Sequence, residues 1–284
     1  MSALIQNTDD WLEFRKGKVG ASDASIIMGV SPWKTQYELW LEKLGLSSTQ
    51  ETWSMKEGKR REEEARQEFE RMTGLVVFPA VLTHPEHEWM IASLDGIDIE
   101  HENIVELKCP GNDDHQQALS GSIPDKYIPQ LQHQLAVTGL KKAYYFSYHG
   151  KHGVIVEVYR DDAYIKNMIE KEQEFYQCLQ ELTPPPLSNM DYVQKNDDLW
   201  QTVSERWKNA SEQLRRFEKS EKELREALIH LADNKNCIGN GIKLTKSLRR
   251  GVIDYKAIPE LEGIDVEKYR KENTASWRIS ECQM

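Results

Sequence analysis

Ser93-Leu94-Asp95-Gly96, followed by Ile104-Val105-Glu106-Leu107-Lys108-Cys109-Pro110, is the stretch that decides how this chain folds. Asp95 closes one short apolar run, Met90 to Leu94. Glu106 and Lys108 lie in a second, Ile104 to Leu107. Gly96, Asp98, His101, Glu102 and Asn103 lie between the runs and include turn formers. Two strands joined by a turn bring Asp95 beside Glu106. Alternate residues of a strand face one side, so Glu106 and Lys108 point the same way. Two carboxylates this close repel unless a cation lies between them, and hard oxygen ligands suit Mg²⁺ or Mn²⁺. A lysine beside such an ion can orient or deprotonate an attacking water. That is chemistry for hydrolysing a phosphodiester. The same spacing also fits a solvated strand edge, and the flanking residues must separate the two readings.

Composition narrows the class. The chain has 284 residues, 39% hydrophobic and 30% charged, as expected of a soluble globular protein. No apolar run approaches the length of a membrane span. The start, Met1-Ser2-Ala3-Leu4-Ile5-Gln6, has neither the basic region nor the apolar core of a secretory signal. The four cysteines, Cys109, Cys178, Cys237 and Cys282, are scattered, which predicts neither a zinc site nor a disulfide framework and suits a reducing cytoplasm. The net charge of −10 argues against a protein that coats nucleic acid with its whole surface. It leaves room for a local basic groove.

Three parts are expected along the chain. Helices are predicted over 9–16, 22–28 and 35–44. A mixed α/β body then runs over 51–183. It has a long helix from about Thr52 to Thr73, ended by Gly74, and strands over 76–82, 90–95 and 103–108. Helices over 113–120 and 124–138 follow, then strands over 142–148 and 154–159 and a helix over 161–182. Pro184-Pro185-Pro186 breaks the chain. This predicts a first domain of residues 1–183 and an extension of residues 187–284. In the extension, Leu199, Val203, Trp207, Leu214, Phe217, Leu224, Leu228 and Leu231 recur at helical spacing, which suits a helical hairpin or a helix lying on the body. The basic stretch Lys235 to Lys256 suggests a hairpin turning through Arg249-Arg250-Gly251. It is a candidate DNA or oligomer contact, or else a solvated edge guarded by Lys and Arg.

Other residues have two readings each. Glu62, in the charged run Glu57 to Arg66, sits on a predicted helix and fits a solvated face. Gln130 has an amide that both donates and accepts, so it can bind phosphate, water or a carboxylate, or simply satisfy a buried polar group. Gln134 lies one turn on, on the same face, while His133 faces elsewhere. Ser22 is a plausible N-cap, and a helix start with a nearby Arg15 can hold phosphate. Plain capping and a surface arginine fit equally well. Trp33 can wedge against an unpaired base; Trp40, at helical spacing, reads as core.

In combination these motifs resemble the PD-(D/E)xK nuclease core, and specifically the lambda-exonuclease and YqaJ-type phage recombinases. The resemblance covers about residues 10–180. Its carriers are Ser93-x-Asp95-Gly96, Glu106-Leu107-Lys108-Cys109-Pro110, Gly58 with Glu62 and Ala65-Arg66, Tyr127-x-x-Gln130, Arg15 with Ala21-Ser22, and Ser31-Pro32-Trp33. Leu94 stands where many members have Pro. No basic residue follows Pro110, where lambda-type members carry an Arg. The resemblance implies a mixed central sheet flanked by helices, with a helical and small β-rich C-terminal appendage.

The activity implied is a Mg²⁺-dependent 5′→3′ exonuclease on double-stranded DNA ends, leaving 3′ single strands for a single-strand annealing protein. Asp95, Glu106, the Leu107 carbonyl and Glu62 would hold metal, Lys108 would activate water and Gln130 would orient it. Arg15, Ser22 and Ser93 would receive the terminal 5′-phosphate, with Trp33 and Gln134 as further DNA contacts. A ring-shaped homo-oligomer, such as a trimer, and the cytoplasm of a bacterial host carrying a phage or prophage are also implied. A structure-specific or nicking endonuclease on the same core, and a catalytically dead DNA-binding accessory protein, are the alternatives.

Overall fold

The computed structural model describes residues 9–48, 52–150, 152–233 and 235–247. The chain divides into two compact units, Met1–Val193 and Gln194–Met284.

Helix α1 (Asp9–Lys16) and the short strand β1 (Val19–Gly20) open the first unit. Helices α2 (Ala21–Ile27), α3 (Gln36–Lys43) and α4 (Trp53–Thr73) follow. A capping box starts α3: the Thr35 hydroxyl accepts from the Glu38 amide, and the Thr35 amide donates to the Glu38 carboxylate. Helix α2 departs from expectation, because its N-cap is Gly20 and Ser22 lies inside the helix. Asp23 takes the capping part, its Oδ2 accepting the Gly20 amide at 2.8 Å.

Next come β2 (Val77–Thr83), β3 (Met90–Asp98) and β4 (Ile104–Lys108), then α5 (Asn112–Leu119) and α6 (Ile128–Thr138). The helix expected from Pro124 begins instead as a 3-10 turn over Asp125–Tyr127. Strands β5 (Lys142–His149) and β6 (His152–Tyr159) and helix α7 (Asp162–Gln180) complete the unit.

The strands form one six-stranded mixed sheet in the order β1-β3-β4-β5-β6, with β2 also paired to β3. β2 runs antiparallel to β3 over Ile91 to Asp98 and so occupies one edge of it. Both β1, at Met90 and Ile91, and β4, at Gly96 and Ile97, must therefore share the other edge. Between them, residues 92–95 have no strand partner on that edge. The parallel β4–β5 pair needs a crossover, and α5 and α6 supply it.

Helices cover both faces, which explains why β3 and β4 are almost continuously buried. On one face, Ala65 and Phe69 of α4, one turn apart, pack on Val77, Val105, Leu107 and Phe146. On the other, Leu131 and Leu135 of α6 join Met90, Leu94, Ile104 and Tyr145. A side chain at Glu106 thus points under α6, while Val105 and Leu107 point under α4.

In the second unit, α8 (Asp198–Leu231) is a single unbroken helix of 34 residues, so no helical hairpin forms there. Strands β7 (Cys237–Gly239) and β8 (Ile242–Leu244) pair around Asn240-Gly241, both at positive φ (46° and 75°). That dipeptide is the standard two-residue hairpin turn. The turn expected through Arg249-Arg250-Gly251, with Val252, Ile253 and Lys256, lies outside the described residues. Among the described residues no helix is long and apolar enough to cross a membrane.

Candidate active site

The gap along β3 makes the site. β4 pairs with β3 only as far as Val105 and Gly96. Beyond that point the strands separate, and the Asp95 side chain does what a backbone carbonyl would have done: its Oδ2 accepts the Leu107 amide at 2.9 Å. This anchors Asp95 beside Glu106. Glu106, only 2% exposed, is held on three sides. Its Oε1 accepts from Lys108 Nζ at 2.5 Å and from Gln130 Nε2 at 2.6 Å, and its Oε2 accepts from Gln134 Nε2 at 2.5 Å.

Burial, then the Glu106 and Glu62 carboxylates, hold Asp95 well above the usual carboxylate range, against the pull of Lys108 and the Leu107 amide. For Lys108 burial opposes the charged form, but Glu106 and Asp95 outweigh it and raise its pKa. The sequence places these three groups together, and so does the structure. Glu62 is near enough to act on Asp95, yet its own contact is Arg66 at 3.4 Å. Among the described residues no group of three His, Cys, Asp or Glu side chains is arranged to hold a metal. The donors are nonetheless hard oxygens. Burial is the largest cause of the raised Asp95 pKa, and the Glu106 and Glu62 carboxylates add to it. A divalent cation between Asp95 and Glu106 would relieve that repulsion, so the residues present fit such an ion.

Gln134 is corrected by the structure. It is fully buried beneath Glu106 and cannot touch DNA. Its Oε1 is buried with no hydrogen-bond partner. Gln130, one turn earlier on α6, is only half-buried and borders the site. His133 faces away, as expected, bridging Glu172 (2.7 Å) and the Ile91 carbonyl (2.9 Å), which fastens α6 to α7 and β3.

The second candidate cluster also assembles. Arg15 donates to Ser22 Oγ at 2.5 Å and to Asp23 Oδ1 at 3.2 Å, and its guanidinium lies 5.2 Å from the Trp11 ring centroid. Trp11 in turn donates its indole N–H to Ser93 Oγ at 3.2 Å. Asp23 is buried and also pairs with buried Lys43 at 2.6 Å. Despite burial, these two cations hold its pKa far below the usual range. Two cations thus face one carboxylate, leaving one unit of positive charge over.

Some contributors carried no motif. Lys126 lies 4.9 Å from the ring centroid of exposed Trp33 and 5.3 Å from that of Tyr127, and pairs with Asp114 at 2.8 Å. Lys108 Nζ lies 5.3 Å from the same Tyr127 ring, so a line of cations and rings runs from Trp33 to the carboxylates. Arg61 of α4 lies over Tyr148 and donates to the Gly150 carbonyl at 3.1 Å. Neither Lys126 nor Arg61 could be placed without the fold, because each arrives from a different helix or turn.

A mixed sheet flanked by helices, with two carboxylates and a lysine on separating central strands, is the PD-(D/E)xK nuclease fold. Residues 10–141 match the YqaJ-like viral recombinase domain, which this chain resembles over that span. The chain is 35% identical over 175 residues to the uncharacterized protein YqaJ of Bacillus subtilis (strain 168), a match covering 59% of this chain and 55% of that protein. The chain thus spans about half the length of this relative. Among solved structures, the alkaline exonuclease LHK-Exo of Laribacter hongkongensis superposes with a TM-score of 0.54 at 26% identity, covering 62% of this chain and 94% of that one. LHK-Exo in complex with dAMP matches with a TM-score of 0.55.

Proposed function

We propose that this protein is a divalent-metal-dependent deoxyribonuclease that degrades double-stranded DNA from its ends in the 5′→3′ direction. The observation that carries the reading is the placing of Asp95, Glu106 and Lys108 around the gap between β3 and β4. The likeness to an alkaline exonuclease supports exonuclease over endonuclease action, and dAMP bound by that relative suits mononucleotide products.

Asp95, Glu106 and the Leu107 carbonyl would hold the ion, Mg²⁺ with Mn²⁺ able to substitute, and Glu62 would assist from α4. When bound, the ion polarises the scissile phosphate and lowers the pKa of the attacking water. Lys108 positions that water and takes part in its proton transfer. Gln130 gives its N–H to Glu106, which leaves its carbonyl oxygen to orient the water. Gln134 fixes the Glu106 rotamer from below. Arg15, Ser22 and Ser93 receive the terminal 5′-phosphate, using the local surplus of positive charge, and Trp33 meets an unpaired base.

Residues 1–183 form the nuclease domain and 187–284 its extension. The 3′ single strands produced serve a single-strand annealing protein in phage-type recombination in a bacterial cytoplasm. The enzyme works as a ring-shaped homo-oligomer, such as a trimer. The deciding experiment is digestion of linear duplex DNA labelled at the 5′ or the 3′ end, with and without Mg²⁺, beside closed circular DNA. Early release of the 5′ label, only with Mg²⁺ and only from linear DNA, is expected. Cleavage of closed circles at a similar rate, or early release of the 3′ label, would overturn the reading.

A further inference from the structure

Helix α8 carries a seven-residue repeat that nothing in the nuclease chemistry uses. Trp200, Val203, Trp207, Ala210, Leu214 and Phe217 follow at alternating steps of three and four residues, and Glu221, Leu224, Leu228 and Leu231 continue the pattern. No described residue of the helix is buried, and Leu214, Phe217 and Leu224 are 58%, 72% and 64% exposed. A straight helix of 3.6 residues per turn would not hold so strict a seven-residue stripe on one line over its length, roughly 50 Å at 1.5 Å per residue. Such a stripe is the signature of a helix that supercoils with a partner of the same period.

We propose that α8 pairs antiparallel with α8 of a second copy of this chain, about a two-fold axis between Leu214 and Phe217.

Size and charge choose both partner and direction. With the helices antiparallel and fully overlapped, Leu214 meets Phe217 of the second copy, Trp207 meets Leu224, Val203 meets Leu228 and Trp200 meets Leu231. Each contact recurs on the other side of the axis, as an isologous interface requires. The one charged seam residue, Glu221, then meets Ala210, the smallest. That leaves room for the carboxylate to reach outward to Arg225 of its own helix, already 2.6 Å away. In the flanking rows Arg225 comes near Ser204 and Glu218 near Ser211, so no like charges face each other. A parallel pair would set Glu221 against Glu221 and Trp200 against Trp200, placing like charges and two large rings in the seam. The stripe is therefore self-complementary in one direction only. This contact stands apart from the nuclease reading, and from any ring built by the first unit.

The test has two arms, both on the full chain. Sedimentation equilibrium should give an assembly whose mass halves when Leu214→Asp and Phe217→Asp are combined, with the pairing weakened at least about a hundredfold. For register, Ala210→Cys and Glu221→Cys are made separately, mixed and oxidised, with the parent chain controlling for its own cysteines. The two variants should cross-link to each other, and neither should cross-link to itself. This arm removes no large apolar group, so it stands even where the aspartates unfold the helix. Unchanged mass with no cross-link, or Ala210→Cys linking to itself, would overturn the proposal.

Discussion

The Asp95 carboxylate accepts the backbone N–H of Leu107 at 2.9 Å, on the strand that also carries Glu106 and Lys108. One hydrogen bond thereby both closes the end of a broken ladder and fixes a carboxylate beside another. The arrangement holds only because the hydrogen bond and the nearby ammonium offset the repulsion.

A first prediction follows from that balance. The Asp95 pKa is raised in the folded state, so at neutral pH its ionised form lowers stability relative to the unfolded chain. Asp95→Asn keeps an acceptor for Leu107 and removes the charge. Without metal, its melting temperature should equal or exceed that of the parent. Saturating Mg²⁺ should raise the melting temperature of the parent and not of the variant, and DNA cleavage should fall at least about a thousandfold. Equal Mg²⁺ stabilisation of both proteins would remove Asp95 from the ion site.

Gln134 gives a sharper test of what lies beneath the site. Gln134→Leu leaves Glu106 Oε2 without its donor and adds no bulk. A hydrogen bond to a charged group is typically worth about 1.5–3 kcal/mol, so cleavage should drop roughly ten- to a hundredfold. Duplex affinity, measured in Ca²⁺ to prevent cutting, should be unchanged, since the residue never meets DNA. A large loss of affinity with intact turnover would contradict its buried placement.

Histidine 133 makes a pH prediction. Burial opposes its charge, but the Glu172 contact and the Ile91 carbonyl prevail and raise its pKa above the ordinary 6.5. In the window from 6.5 up to that raised value the folded protein binds more protons than the unfolded one. Its contribution is therefore complete below the window and is lost as pH rises through it. Urea unfolding of His133→Gln should lack this decline, and its stability curve should be flatter above about pH 6.5. A decline of the same size in both proteins would assign the effect elsewhere.

Asp95, Glu106 and Lys108 were legible in the sequence because strand periodicity and a turn leave little freedom in where such residues point. Helical spacing told as much about Gln130 and Gln134, that they share a face, but not how deep each lies. One borders the site and the other sits beneath it. Ser22 was read as a cap from its side-chain chemistry, while Asp23, buried against two cations, closed on Gly20 instead. That outcome depended on Lys43, from another helix. The Asn240-Gly241 turn is legible in the sequence, because that dipeptide suits the positive φ angles a two-residue hairpin needs. Lys126 and Arg61 have no local pattern at all; only the fold sets Lys126 between the Trp33 and Tyr127 rings and Arg61 over Tyr148.

The last prediction concerns the DNA end. Arg15 is held by Ser22 and Asp23 and lies over Trp11, which reaches Ser93, so the guanidinium is fixed before substrate arrives. A preorganised arginine loses little freedom on meeting a phosphate and can bind it with two parallel hydrogen bonds. Arg15→Ala should slow digestion of 5′-phosphorylated ends roughly ten- to a hundredfold, the equivalent of about 1.5–3 kcal/mol, and slow 5′-hydroxyl ends far less. In the variant the two ends should be digested at similar rates. Because Arg15 also balances buried Asp23, the melting temperature must be measured beside the rates, and Lys43 should keep that carboxylate paired and the fold intact. Equal slowing of both ends in a folded variant would make Arg15 a general DNA contact. The metal site would stand, and the terminal-phosphate pocket would have to be sought elsewhere.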